Sequence, residues 1–200
     1  ALPLAALAHA GERGGAAFDG GRRPEAVQLE LPLPGLNLAS DAKPPADGPP
    51  RYLSIADPAH GKWLGEVVRA AWTSRTGRRV LSQVTRLSNQ RGRPISVFLT
   101  DLRANNGEYV YDWDMIQLGQ HYLKKDPVEA APTLVHELLH VVQKSLVLPT
   151  DAIEMELEAY MVTFDVMREL DVPFEKGSFY KSAYRKFQGP LPEFVKWLTK

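Results

Sequence analysis

The sequence predicts an α+β domain: a short mixed sheet, a helix carrying two histidines, and a following helix rich in glutamate. Three observations predict it. Apolar residues over 63–72 and 80–87 recur at helical spacing. "PISVFLTDL" (94–102) is a β-branched and aromatic run after a proline, the composition of a strand. Beyond residue 125, "DPVEAAPTLVHELLHVVQKSLVL" and "PTDAIEMELEAYMVTFDVMREL" each open on a capping signature and continue with a helical apolar repeat.

Residues 1–50 hold half of the prolines and almost half of the glycines. Such a segment buries too little apolar surface to offset its ordering entropy. We expect a tail, linker or pro-segment there, with the folded domain at about 51–200. "AVQLELPLPGLNL" (26–38) is apolar enough to lie as an extended strap. "ALPLAALAHA" ends in Ala8-His9-Ala10, a small-x-small pattern like a signal-peptidase site, which points to a secreted or periplasmic protein. A flexible alanine-rich leader accounts for the same residues.

In the domain, Trp63, Leu64, Val67, Val68, Ala71 and Trp72 mark a first helix, with Gly77 as its C-cap. Val80, Leu81, Val84 and Leu87 mark a second short helix, with a strand as the alternative. After the 94–102 strand, "RANNGEY" supplies an Asn-Gly turn. "YVYDWDMIQLG" (109–119) alternates imperfectly, so the region reads as a hairpin or two adjacent strands. Asp126 fits an N-cap, Pro127 the first helical position, and Glu129 a capping box. Pro132 then kinks this helix or begins another. Asp151 and Glu154 repeat the box, ahead of a stripe of Ile153, Leu157, Met161 and Phe164. From Pro173 the chain is aromatic and basic, with a final helix from about 190.

Composition narrows the function. With 24 basic and 24 acidic residues the chain has no net charge, so nothing global points to nucleic acid or an anionic membrane. Residues 62–93 carry eight Lys or Arg against Glu66 alone. We read them as a solvated helix face that complements the acidic 94–170, not as a specific nucleic-acid site. No apolar run reaches the roughly 18 residues of a membrane-spanning helix. There is no cysteine, so disulfides, thiolate ligands and a cysteine nucleophile are excluded. Any metal must rest on His, Asp or Glu.

"TLVHELLHVVQ" (133–143) supplies such ligands. On a helix, His136 and His140 lie one turn apart on one face, about 5–6 Å between Cβ atoms. Two imidazoles so placed can bind one ion at roughly 2.0–2.1 Å each. Glu137 points about 100° round the helix. It is badly placed as a ligand from that face and well placed to act as a general base on a water. Independent placement of five His and thirteen Glu in 200 positions gives this pattern in about one chain in a hundred. A core helix with hydrogen-bonded histidines is the plainer reading, but Leu134, Leu138, Val141 and Val142 already supply an apolar face elsewhere on the helix.

The "HELLH" pattern resembles the signature of the zincin metallopeptidases. A metzincin would continue with a glycine and a third histidine, where this chain has "VVQKSL". Gluzincins take a glutamate from the next helix, and "ELEAY" (156–160) is similar to that pattern, which implies Glu158 as third ligand. Val162 stands where gluzincins often carry an acidic residue; Asp165, two turns on, or a group from elsewhere in the chain is expected to take that place. The resemblance implies a zincin-like domain at 51–200 holding one zinc ion on His136, His140 and Glu158. It implies Glu137 as general base, a peptide or protein substrate aligned along an edge strand near 109–118, and a polar group for the oxyanion. Tyr160, Tyr180, Tyr184 and His121 are the candidates for that group.

Position on the second helix separates the other carboxylates. Glu154 falls where a capping-box glutamate turns back to its cap, yet is the alternative ligand. Glu156, about 200° from Glu158, is expected to face solvent. Asp151 is explained as a cap. The leading expectation is a zinc peptidase. The alternative is a zincin-like peptide- or protein-binding module without catalysis, which would have no use for Glu137.

Overall fold

In the computed structural model, residues 50–103, 105–145, 152–173 and 179–199 are described. They form six α-helices and a four-stranded mixed sheet. The expected class is therefore borne out: the domain is α+β. The strap at 26–38, Asp151 and the rest of 1–49 lie outside the described residues.

The chain enters through β1 (Leu53–Ile55) and passes to α1 (Gly61–Thr73) and α2 (Arg75–Arg91). Gly77 does not end α1. Ser74 divides the helices, and its hydroxyl accepts from Gly77 N–H at 2.7 Å as the N-cap of α2. A Cβ at Gly77 would stand 2.2 Å from the Ala71 carbonyl, so close helix contact is why glycine is there. The carboxylate of Glu169 adds to this cap, accepting from both the N–H and the hydroxyl of Thr76 at 2.8 Å. Gly92, at φ 67°, closes α2 in the left-handed conformation that glycine adopts without steric cost.

Strands β2 (Ile95–Thr100), β3 (Gly107–Val110) and β4 (Met115–Gly119) complete the sheet in the order β1-β2-β4-β3. The first three neighbours run parallel, and β3 is antiparallel to β4 at the edge. The region 109–119 is thus a hairpin, broken by a four-residue turn at 111–114. Asp114 takes φ 53° there, a conformation that Asp and Asn tolerate better than most residues. This turn is why the alternation was imperfect. The Asn-Gly pair does not turn the hairpin; Gly107 opens β3 instead. Leu53, Ile95, Val97, Ile116 and Leu118 are buried towards the helices, whereas Phe98 is exposed.

Helix α3 (Pro127–Ser145) runs unbroken through Pro132. That proline lies in the second turn, where its missing N–H forfeits one bond near the helix start without ending the helix. Asp126 caps the helix, accepting from Val128 N–H at 2.9 Å. Glu129 pairs with Lys125 at 3.2 Å. Helices α1, α2 and α4 (Ala152–Glu169) pack around α3, with β3 and β4 on a further side. Its residues 130–139 are all buried, so it is the central helix of the core.

Two short helices, α5 (Phe179–Phe187) and α6 (Leu191–Leu198), form the end of the chain, of which only the second was expected. They join α4 in an aromatic cluster of Tyr160, Phe164, Phe187, Phe194 and Trp197. No described helix is long and apolar enough to cross a membrane.

Candidate metal centre

The imidazoles of His136 and His140 lie with ring centroids 4.9 Å apart on the face of α3 that meets α4. The carboxylate that closes on them is that of Glu156. Its Oε2 is 3.5 Å from His136 Nε2, and its Oε1 is 3.4 Å from His140 Nε2. Among the described residues, these three form the group whose ligand atoms all lie within 4.8 Å of one another. Two atoms each about 2.0–2.1 Å from a tetrahedral ion stand about 3.3–3.4 Å apart. The donor set and both distances to Glu156 fit a metal ion.

The carboxylate beside the histidines is not the expected Glu158 but Glu156. Glu156 is partly exposed, but beside the histidines and not outward. Glu158 is turned to Gln143, whose Nε2 donates to its Oε2 at 2.8 Å. Glu154 stays outside the group, and Asp165 pairs with Arg168 at 2.8 Å. The stripe Ile153, Leu157 and Met161 misled, because those residues are only partly buried. The buried residues of α4 also include Val162 and Phe164, the latter from the expected stripe, but Ala159, Tyr160, Thr163, Val166 and Met167 lie along one face. Continued one turn back at spacings of three and four, that face reaches Glu156. The small pair Ala159 and Thr163 was the signal that could have found it.

Sequence reasoning also missed two hydrogen-bonding partners. Thr163 Oγ1 lies 2.9 Å from His136 Nδ1, and Gln143 Oε1 lies 2.8 Å from His140 Nδ1. Of the two expected alternatives, Asp165 or a group from elsewhere, the structure shows the second, in Thr163.

Glu137 sits round the helix, as the motif predicts, against edge strand β3. The backbone N–H of Tyr109 donates to its carboxylate. Burial, only partly offset by the His136 charge, pushes its carboxyl up to about 7. Burial also pushes His140 down to about 4, with the neighbouring His136 charge adding to the effect. In His136 burial acts the same way, but the Glu156 and Glu137 carboxylates outweigh it and the net shift is upward.

These groups line a cleft of about 390 Å³ between β3 and the start of α4. Asn106, Gly107, Tyr109 and Tyr111 border one side; Met155, Glu156 and Tyr160 border the other. Of the four oxyanion candidates, Tyr160 and Tyr180 line this cleft. The Tyr160 ring is 5.0 Å from that of His136, and Tyr180 shares a hydrogen bond of 2.7 Å with Thr133. Burial raises both phenols above their ordinary range, which keeps their O–H groups intact. Tyr184 packs on Phe164 in the aromatic cluster and His121 lies beside Tyr122, and neither borders the cleft.

Comparison of the chain with protein-family models, with curated proteins and with solved structures found no match.

Proposed function

We propose that this protein is a zinc-dependent peptidase with a zincin-like domain, in which His136, His140 and Glu156 hold the ion and Glu137 is the general base. The observation that carries the reading is the convergence of both Nε2 atoms on the Glu156 carboxylate, with Glu137 in the same cleft. Two imidazoles and a carboxylate are a donor set that suits zinc.

A bound zinc ion supplies an acidified water and a polarised carbonyl. The chain's own residues do the rest. Glu137 takes a proton on its carboxylate and returns it to the amide nitrogen that leaves. Its raised pKa suits this exchange near neutral pH. Strand β3 is paired with β4 on one side, and Gly107, Glu108 and Tyr109 border the cleft. An extended peptide laid beside them is oriented by backbone pairing. Tyr160 and Tyr180, which line the cleft, are the O–H donors offered to the oxyanion.

The test is metal analysis of the purified chain together with a broad peptide-library digest, with and without a chelator. We expect about one zinc per chain and cleavage that the chelator stops and added zinc restores. A fully zinc-loaded protein that cleaves nothing in the library overturns the peptidase reading.

A further inference from the structure

Each of the two histidines is held at its Nδ1 by a neutral side chain whose own hydrogen-bonding direction is already fixed. Gln143 is buried, and its Nε2 donates to the Met155 carbonyl at 3.0 Å and to Glu158 Oε2 at 2.8 Å. Turning the amide over would set its oxygen against a carbonyl and a carboxylate, both acceptors. The amide is therefore locked, and Oε1 is what it presents to His140 Nδ1 at 2.8 Å. Only an N–H can answer an oxygen there.

Thr163 reaches the same result by another route. It is fully buried, and its hydroxyl proton is committed to the Ala159 carbonyl at 2.7 Å. A hydroxyl has one proton, so only lone pairs remain for His136 Nδ1 at 2.9 Å. The two arrangements give the same tautomer, Nδ1–H. In each ring Nε2 is then the nitrogen left to bind a metal, and it stands 3.5 Å (His136) or 3.4 Å (His140) from the Glu156 carboxylate.

We propose that Gln143 and Thr163 are positioning residues that set the tautomers of His140 and His136, and that Glu158 acts through Gln143 and not as a ligand. This rests on the metal-site reading above and deepens it. A histidine whose other nitrogen is fixed holds its ring orientation and binds a metal without first exchanging a proton. The cleft's pair of ligands would then be preset by α3 and α4 before any ion arrives.

The experiment is nitrogen-15 spectroscopy of the imidazoles in the metal-free full chain, at a pH above the titration of both rings. It is paired with zinc affinity measured against a competing chelator. Wild type should show both rings as Nδ1–H. Gln143→Leu should release His140 from that form, leave His136 unchanged, and weaken zinc by about 10–100-fold. Thr163→Val should do the reverse, with Thr163→Ser restoring the wild-type spectrum.

Glu158→Gln keeps an oxygen for the Gln143 N–H, so its tautomers and zinc affinity should stay close to wild type. Glu156→Gln should lose the metal. His140 as Nε2–H in the wild type, or Glu158→Gln losing zinc as completely as Glu156→Gln, would overturn the proposal. The spectra need neither metal nor substrate, so failure of the peptidase reading leaves them readable. Conversely, a chain that cleaves peptides with His140 in the other tautomer overturns this proposal alone.

Discussion

Gly107 and Glu137 stand so close that a Cβ on the glycine would lie 2.7 Å from the glutamate Oε1, and as near to Thr133 Cγ2. The glutamate tip can swing aside, but Thr133 is fully buried and stiff at χ1. Gly107→Ala should therefore displace β3 from α3. We expect a loss of about 1–3 kcal/mol in a urea titration. Peptide cleavage should fall by more than zinc content does. An alanine variant with wild-type stability and turnover would show that β3 yields freely.

Glu137→Gln removes the base and keeps the shape. The amide oxygen can still accept from Tyr109 N–H, and a neutral amide suits this buried position at least as well as a carboxylate. Turnover should drop by about 10²–10⁴-fold, the share general base catalysis commonly supplies. Melting temperature and zinc content should hold near wild type. Cleavage undiminished in this variant would remove Glu137 from its role.

Asp114 ties the hairpin turn to two helices. Its carboxylate accepts from Arg91 at 2.7 Å, Arg93 at 3.1 Å and the Tyr109 hydroxyl at 2.5 Å, with Lys144 at 3.9 Å. Burial alone would raise its pKa, but the Tyr109 hydrogen bond and these cations outweigh it, so the folded value lies below the ordinary 3.8. A depressed folded pKa contributes stability above the unfolded value and loses it as pH falls towards the folded one. That contribution is therefore complete above about pH 4 and fades below it. Asp114→Asn keeps the left-handed turn and removes the charge. It should cost about 1–3 kcal/mol at neutral pH and flatten the acid limb of the stability profile. Chemical denaturation at several pH values would reveal it, and an unchanged acid limb would refute the assignment.

Phe194 is fully buried on α6, edge-on to Tyr160 at 5.7 Å and stacked on Trp197 at 5.6 Å. Phe194→Ala should cost about 3–5 kcal/mol. Because Tyr160 also borders the cleft, turnover should fall while zinc affinity holds. Equal losses in both would mean that the aromatic cluster supports the histidines directly.

The parts legible in sequence were those in which one segment determines its own structure. "HELLH" placed two histidines and a carboxylate on α3 without any knowledge of neighbours, because the helix period alone sets their directions. The strand at 95–100 and the cap at Asp126 were local in the same sense. What failed depended on contacts between segments. Gly77 looked like a helix end, but it serves the close approach of α1 and α2. Pro132 looked like a break, but sits too near the start of α3 to cost more than one bond. Glu156 and Glu158 differ only in which side of α4 faces α3. Leu157 and Met161 continue the helical apolar repeat, whereas the face that docks is built from Ala159 and Thr163, small enough to let the helices meet.

The enclosure of α3 has a kinetic consequence. The buried middle of a helix wrapped by three others and two strands cannot open piecemeal, so the amide protons of 131–139 should exchange with solvent only when the whole domain opens. The two histidines inherit that immobility through their backbone. Glu156 does not, because it sits near the start of α4 with 43% of its side chain exposed. Of the three proposed ligands it is the one with room to swing. Opening of the proposed site would therefore begin with a side-chain rotation on α4, far faster than any unfolding of the helix that carries the histidines.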